Sequence, residues 1–146
     1  MHKISIVERE MTPVEFAQMN AGFDENTLDN DVVIQSSERM GFVALDGDGF
    51  IGCVSGLAYK NGDAYSGWFY LTDLYVEKAF RGQGLGAKLL ETLEDKILAC
   101  GIDKVWTWTA GYEGPGFYKK QGYTVFAELE NWYSSGHSRV GMKKRL

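Results

Sequence analysis

The sequence predicts an α+β fold: a mixed sheet flanked by helices. Three observations predict it. Strand-like runs outnumber helical patterns. One strongly periodic helix, Leu85–Cys100, lies near the middle of the chain. A strand pattern precedes it at Trp68–Val76 and another follows at Val105–Thr109, so a strand–helix–strand unit forms the centre. The 146 residues suit one ordinary domain, and no linker, repeat or shift in composition divides them, so residues 1–146 read as a single domain.

The elements follow in order. Lys3–Glu8 alternates polar and apolar residues, as a first strand does. Thr12-Pro13-Val14-Glu15 reads as a helix start, with Thr12 as cap, Pro13 in the first turn and Glu15 three residues on. That helix is expected to run to about Gly22. Asp24–Asp31 is acidic and reads as a loop or a short second helix. Gly41–Leu45 and Phe50–Ala58 are strands joined by the turn Asp46-Gly47-Asp48-Gly49, whose residues supply positive φ. Asn61-Gly62-Asp63 marks the next turn, before the aromatic strand Trp68–Val76. In the central helix Leu85, Leu89, Leu93 and Ile97 recur every four residues, and Gly101 caps its end. A short helix at Gly116–Gln121 stops at Gly122, and final strands are expected at Tyr123–Leu129 and Ser138–Lys143.

Composition narrows the function classes. The chain is 45% hydrophobic and 24% charged, as in globular proteins. A net charge of −5 disfavours a nucleic-acid partner, because no basic stretch neutralises phosphates. The cationic cluster Lys143-Lys144-Arg145 reads as a solvated terminal tail. Cys53 and Cys100 lack C-x-x-C spacing, so neither a disulfide framework nor a metal site is expected. Met1–Glu10 has no apolar stretch of the kind a signal peptide needs, and no run approaches the length of a membrane span. A cytoplasmic protein with no membrane partner is the expectation.

The informative segment is Leu74-Tyr75-Val76-Glu77-Lys78-Ala79-Phe80-Arg81-Gly82-Gln83-Gly84-Leu85-Gly86. A strand ends, a glycine-rich turn follows and a strong helix begins. Glycines expose successive backbone N–H groups, and the helix start adds unpaired donors and partial positive charge. Together these make a phosphate or pyrophosphate site, with Arg81 as a nearby cation. The spacing of Gly82, Gly84 and Gly86 does not meet the dinucleotide pattern, and Ala87-Lys88 does not complete a Walker loop. The alternative is a helix entry that merely needs small residues, but three glycines there destabilise the helix unless something uses the exposed backbone.

Arg81-Gly82-Gln83-Gly84-Leu85-Gly86 resembles the R/Q-x-x-G-x-G/A signature of the GNAT superfamily of N-acetyltransferases. Gly116-Phe117-Tyr118-Lys119-Lys120-Gln121-Gly122-Tyr123 is similar to that family's F-Y-x-x-x-G-F/Y segment, in family order and at family spacing. The resemblance covers most of the chain and is weakest in the first helices. It implies a three-layer α/β/α fold with a mostly antiparallel twisted sheet, splayed between the family's fourth and fifth strands. It implies acetyl-CoA as co-substrate, no metal, and acetyl transfer to a primary amine of a small molecule or peptide by direct attack in a ternary complex. A non-catalytic CoA-binding or sensor module is the alternative. Homodimers are common among relatives, and a homodimer is expected on that analogy alone.

Carried over residue by residue, the resemblance implies the following. The strand Leu74-Tyr75-Val76 contacts the cofactor, the backbone of Leu74 and Val76 bonding the thioester and pantetheine arm. Arg81 and the turn Gly82, Gln83, Gly84, Leu85, Gly86, Ala87 hold the pyrophosphate. Tyr118 faces the thioester sulfur, unless it is a core aromatic. With a thiol pKa near ~8.5 against ~10 for Tyr, Tyr118 is expected to act as a hydrogen-bond donor rather than to complete proton transfer. The amine needs a base or a water chain, since only about one in 10³–10⁴ is neutral at pH 7. Asp73 is the candidate, although strand alternation sets Asp73 and Leu74 on opposite faces, so a bulge is required to aim it inward. Asp73 pairing with a cation or backbone group is the other reading. Many relatives carry Glu where this chain has Thr72, and an Asn where it has Ala110–Pro115; that contact is missing or replaced by Tyr112 or Glu113.

Around the acceptor site the resemblance places Asp24, Glu25, Asp29 and Asp31, either a negative rim that draws a cationic amine or a solvated loop. Trp132, Tyr133 and His137 lie in the last interstrand loop, where exposed aromatics hint at a lid and His137 is a base or simply solvated. Trp106 and Trp108 read as packing within their strand.

Overall fold

The computed structural model describes residues 2–146, which fall into two units, one ending at Ile34 and the other spanning Gln35–Leu146. In the first unit a helix, α1, runs over Pro13–Asp29. Thr12 and Glu15 form the expected capping box: Glu15 N–H donates to Thr12 Oγ1 at 3.2 Å and Thr12 N–H to Glu15 Oε1 at 2.8 Å. Arg9 adds a bidentate pair to Glu15 at 2.7 and 2.9 Å, which with the cap lowers the Glu15 carboxyl to about 2. The helix passes the expected stop at Gly22 and absorbs the acidic segment, ending at Asn30. A single interior glycine costs only about 1 kcal/mol. The capping box at the start helps offset it. The strand expected at Lys3–Glu8 is not formed; the segment has alternation but no ladder partner to pair its backbone.

In the second unit six strands form one sheet in the order β1-β2-β3-β4-β6-β5. They are β1 Gln35–Asp46, β2 Gly49–Asn61, β3 Ala64–Val76, β4 Lys104–Ala110, β5 Thr124–Leu129 and β6 Arg139–Arg145. The β3–β4 pair is parallel and the rest are antiparallel, a mixed sheet as predicted. Helix α2, Leu85–Ala99, makes the crossover from β3 to β4, and Gly101 follows it at φ +88° as the left-handed stop. A short helix α3, Pro115–Lys120, joins β4 to β5. The three strands β1–β3 are longer than their apolar runs, because polar ends such as Gln35 and Asn61 still pair across the hairpin.

Period-two burial puts Val54 and Ala58 of β2, Phe69 and Leu71 of β3, and Val105 and Thr107 of β4 on one face. Leu89, Leu90, Leu93 and Ile97 of α2 complete that core. Tyr118 of α3 joins it, together with Tyr123, whose hydroxyl donates to Glu94 at 2.8 Å. The cluster Lys143-Lys144-Arg145 is not a tail. It belongs to β6, which lies between β4 and β5. There Lys144 pairs with Glu94 at 3.1 Å and Arg145 with Asp103 at 3.6 Å.

Candidate active site

Strands β3 and β4 pair only from Trp68↔Lys104 to Leu71↔Thr107, although β3 continues to Val76 and β4 to Ala110. At the last rung the buried Thr107 hydroxyl donates to the Leu71 carbonyl at 2.8 Å. Beyond it the two backbones have no partner in each other. Glu77 N–H donates to Ile51 O at 2.7 Å. Successive residues of a strand turn their backbone groups to opposite edges, so Leu74 and Val76 present theirs to the open side. One of these groups is taken: Val76 O accepts from Arg81 Nε at 2.9 Å. Arg81 also stands 6.0 Å from the Tyr75 ring centre.

The turn into α2 carries the two glycines whose backbone demands glycine. Gly82 has φ +78° and Gly84 φ +81°, and the space where either Cβ would project is empty. Gly84 is the cap of α2, and no side chain bonds the helix start. The first helical bond is Lys88 N–H to Gly84 O at 3.0 Å, so the N–H groups of Leu85, Gly86 and Ala87 have no partner within the helix. Bare donors at the positive end of a helix dipole attract an anion.

Two cavities meet where β3 and β4 part. The larger, about 550 Å³, is bordered by Leu74, Tyr75 and Val76, by Arg81 and by the helix start. Of the turn residues expected there, only Gln83 does not border it. The smaller, about 320 Å³, is bordered by Thr72, Asp73 and Leu74 on one strand and by Thr107 to Ala110 on the other. Leu74, Thr109, Glu113 and Tyr118 border both. Gly114 allows that junction, since a Cβ there would lie 2.8 Å from Thr109 Cβ.

Tyr118 is both a core aromatic and a cavity residue, so the two readings of it are not exclusive. Its ring packs on Tyr123 at 5.3 Å while its surface lies on the junction. Phe117 borders the larger cavity as well, so adjacent helix positions do not separate the two. Burial pushes the Tyr118 hydroxyl up to about 12; the Thr107 side chain opposes the rise and the Glu113 charge adds to it.

A bulge lies just before Asp73. Leu71 pairs with Gly56 and Asp73 with Ser55, which leaves Thr72 extra. After the bulge Asp73 and Leu74 still alternate, Leu74 opposite the buried Val54 and Asp73 opposite Ser55, yet both border the smaller cavity, which lies in the gap between β3 and β4. Asp73 also has a cation: Arg39 Nη2 donates to Asp73 Oδ2 at 3.2 Å and to Ser55 Oγ at 3.1 Å, and Thr72 Oγ1 donates to the same carboxylate oxygen at 2.7 Å.

The loop between β5 and β6 divides. Trp132 and Tyr133 border the smaller cavity, whereas His137 does not. His137 Nδ1 lies 2.8 Å from Ser135 Oγ and its ring packs on Tyr112. Trp108 is more than strand packing, because it borders the same cavity with Arg139 over its ring at 5.3 Å. Trp106 is packing, stacked on Tyr70 at 4.1 Å. Arg39, Thr107, Thr109 and Arg139 had no local motif to announce them. The acidic residues Asp24, Glu25 and Asp29 lie on α1, with Asp31 just past its end.

The Acetyltransferase (GNAT) domain family matches residues 36–125, more than half of the chain. An acetyltransferase of Agrobacterium fabrum is 32% identical over 58% of this chain and 61% of its own length. Blasticidin-S acetyltransferase of Streptomyces morookaense is 31% identical over 44% of this chain and 48% of its own. The chain thus spans only about half to three fifths of these relatives. A crystal structure of an acetyltransferase from Bacillus cereus shares the fold, with TM-score 0.79 and 23% identity over 97% of this chain and 98% of that one. The match over the glycine turn and the strand before it, on a fold of the same kind, places this chain in the GNAT acetyltransferase family.

Proposed function

We propose that this protein transfers an acetyl group from acetyl-CoA to a primary amine of a small molecule or peptide, by direct attack while both are bound. The observation that carries the reading is the meeting of the two cavities at Leu74, Thr109, Glu113 and Tyr118. One cavity has the chemistry for CoA: unpaired amides of Leu85, Gly86 and Ala87 and the Arg81 cation for the diphosphate, and the open backbone of Leu74 with the Val76 N–H for the amide-rich arm. The other is left for the acceptor. Blasticidin-S acetyltransferase, by its name, acts on blasticidin-S, which supports acetyl transfer without choosing an acceptor here.

In this reading Tyr118 donates a hydrogen bond to the departing sulfur. A hydroxyl at about 12 opposite a thiol near ~8.5 makes full proton transfer uphill by ~5 kcal/mol, so the proton stays largely on Tyr118. Asp73 takes the proton of the incoming ammonium, directly or through water, while Arg39 and Thr72 fix the carboxylate. Glu113, at the junction, draws the ammonium form toward the thioester. The full chain acts as one acetyltransferase domain. Among the described residues no helix is long and apolar enough to cross a membrane.

The test is thiol release from acetyl-CoA against polyamines, aminoglycosides, amino acids and basic peptides. Turnover of at least one amine is expected. Saturable CoA binding with no turnover on any of them would replace the enzyme by a CoA-binding module.

A further inference from the structure

The smaller cavity is charged unevenly. Its charged residues are Asp73, Glu113 and Arg139. Glu113 stands at the junction with the larger cavity, and Arg139 does not border that cavity at all. Asp73 is already matched by Arg39 at 3.2 Å. Arg139 is matched by nothing: among the described residues it takes part in none of the ion pairs, and its side chain makes no hydrogen bond to protein. Its guanidinium carbon instead lies over two indoles, 5.3 Å from Trp108 and 5.2 Å from Trp132.

The sequence explains why it is held there. Arg139 opens β6, opposite Ala110 of β4 and Leu129 of β5. Val140 and Met142 of the same strand are buried in the core. Alternation sets Arg139 apart from Val140, on the sheet face where Trp108 lies. Two aromatic faces hold the flat cation and leave its N–H groups, which lie in its plane, for a ligand. A fork of donors in one plane matches a carboxylate, which accepts two parallel hydrogen bonds.

We infer that the acceptor is an amine that also carries a carboxylate, with Arg139 as the residue that binds it. This rests on the acetyl-transfer reading and deepens it. The amine must reach the junction at Tyr118, where Glu113 is negative, so the far end of the acceptor meets the positive end of the cavity. A molecule with an ammonium at one end and a carboxylate at the other fits that polarity. A polyamine, positive at both ends, sets a cation against Arg139.

The experiment uses the full chain and matched acceptors: L-lysine, L-lysinamide and 1,5-diaminopentane, with L-phenylalanine, its amide and phenethylamine as a second series. Thiol release from acetyl-CoA gives kcat/KM for each. In at least one series the carboxylate form is expected to exceed both uncharged-end forms by roughly 10–100-fold, the range of a hydrogen-bonded ion pair. In Arg139→Gln that ratio is expected to fall to near one, and Arg139→Lys to restore part of it. CoA titration checks that each variant is folded. Equal or better turnover of the amides and diamines by the unaltered protein overturns the inference while leaving acetyl transfer standing. So does an unchanged ratio in Arg139→Gln. No turnover of any amine overturns the acetyl-transfer reading, and this inference with it.

Discussion

Replacing Tyr118 with Phe removes one hydroxyl from the place where the two cavities join and leaves the ring in its packing against Tyr123. The size of the effect follows from the state of that hydroxyl. Burial holds it at about 12, far above a departing thiol near ~8.5, so in the proposed reaction the group would stabilise the forming thiolate by a hydrogen bond and keep its proton. A hydrogen bond to a charged acceptor is worth about 1.5–3 kcal/mol, which is roughly 10–150-fold in rate. That lies mostly below the ~10²–10⁴ typical of a general acid. The diphosphate contacts are untouched, so KM for acetyl-CoA should stay within about threefold. The assay is steady-state thiol release with kcat and KM measured separately, on protein whose melting transition is also recorded. A kcat within twofold of the unaltered protein refutes the role of Tyr118. A loss well beyond ~150-fold, into the ~10³–10⁴ range of general-acid catalysis, refutes the argument that its proton stays in place.

Other outcomes follow from the same geometry. Gly84→Ala forces a side chain into φ +81°, which costs about 1–2 kcal/mol even though no atom blocks the Cβ; lower melting temperature and weaker CoA binding should appear together. Asp73→Asn should lower kcat/KM for the amine by roughly 10²–10⁴ and move the pH optimum upward, because free amine must then come from solution. An unchanged pH profile would remove Asp73 as the proton acceptor. Tyr118 holds its proton more tightly folded, at about 12, than unfolded, near 10. The stability this provides is complete below pH 10 and is lost as pH rises through 12, a total of ~3 kcal/mol. Urea unfolding at pH 8, 10 and 11 should show that decline, less steeply in Tyr118→Phe. Tyr123, raised in the same direction by burial and Glu94, keeps part of it.

What the sequence made legible was local. The helix of Leu85 to Ala99 and the turn before it are written in one continuous stretch, four-residue spacing next to three glycines, and the structure forms both. Strand alternation between Asp73 and Leu74 was legible, and it persists after the skipped register at Thr72, which the sequence did not announce. What failed was also physical. Lys3–Glu8 has strand alternation, but alternation supplies no partner for the backbone. Gly22 reads as a stop, yet one interior glycine costs only about 1 kcal/mol and the capped helix runs through it. The Lys143–Arg145 cluster looks like a tail until β6 is seen inserted between β4 and β5. Arg139 and Trp108 are separated by thirty-odd residues and meet only because of that insertion, so no motif announces them.

The claim beneath all of this is that unpaired amides at the start of α2 bind the diphosphate of CoA. Calorimetric titration of the folded protein with CoA, and separately with pantetheine, which has the same arm and no diphosphate, tests it directly. The account predicts saturable heat with CoA and binding of pantetheine weaker by a hundredfold or more. Equal affinity for the two, or no saturable heat with CoA, would contradict it.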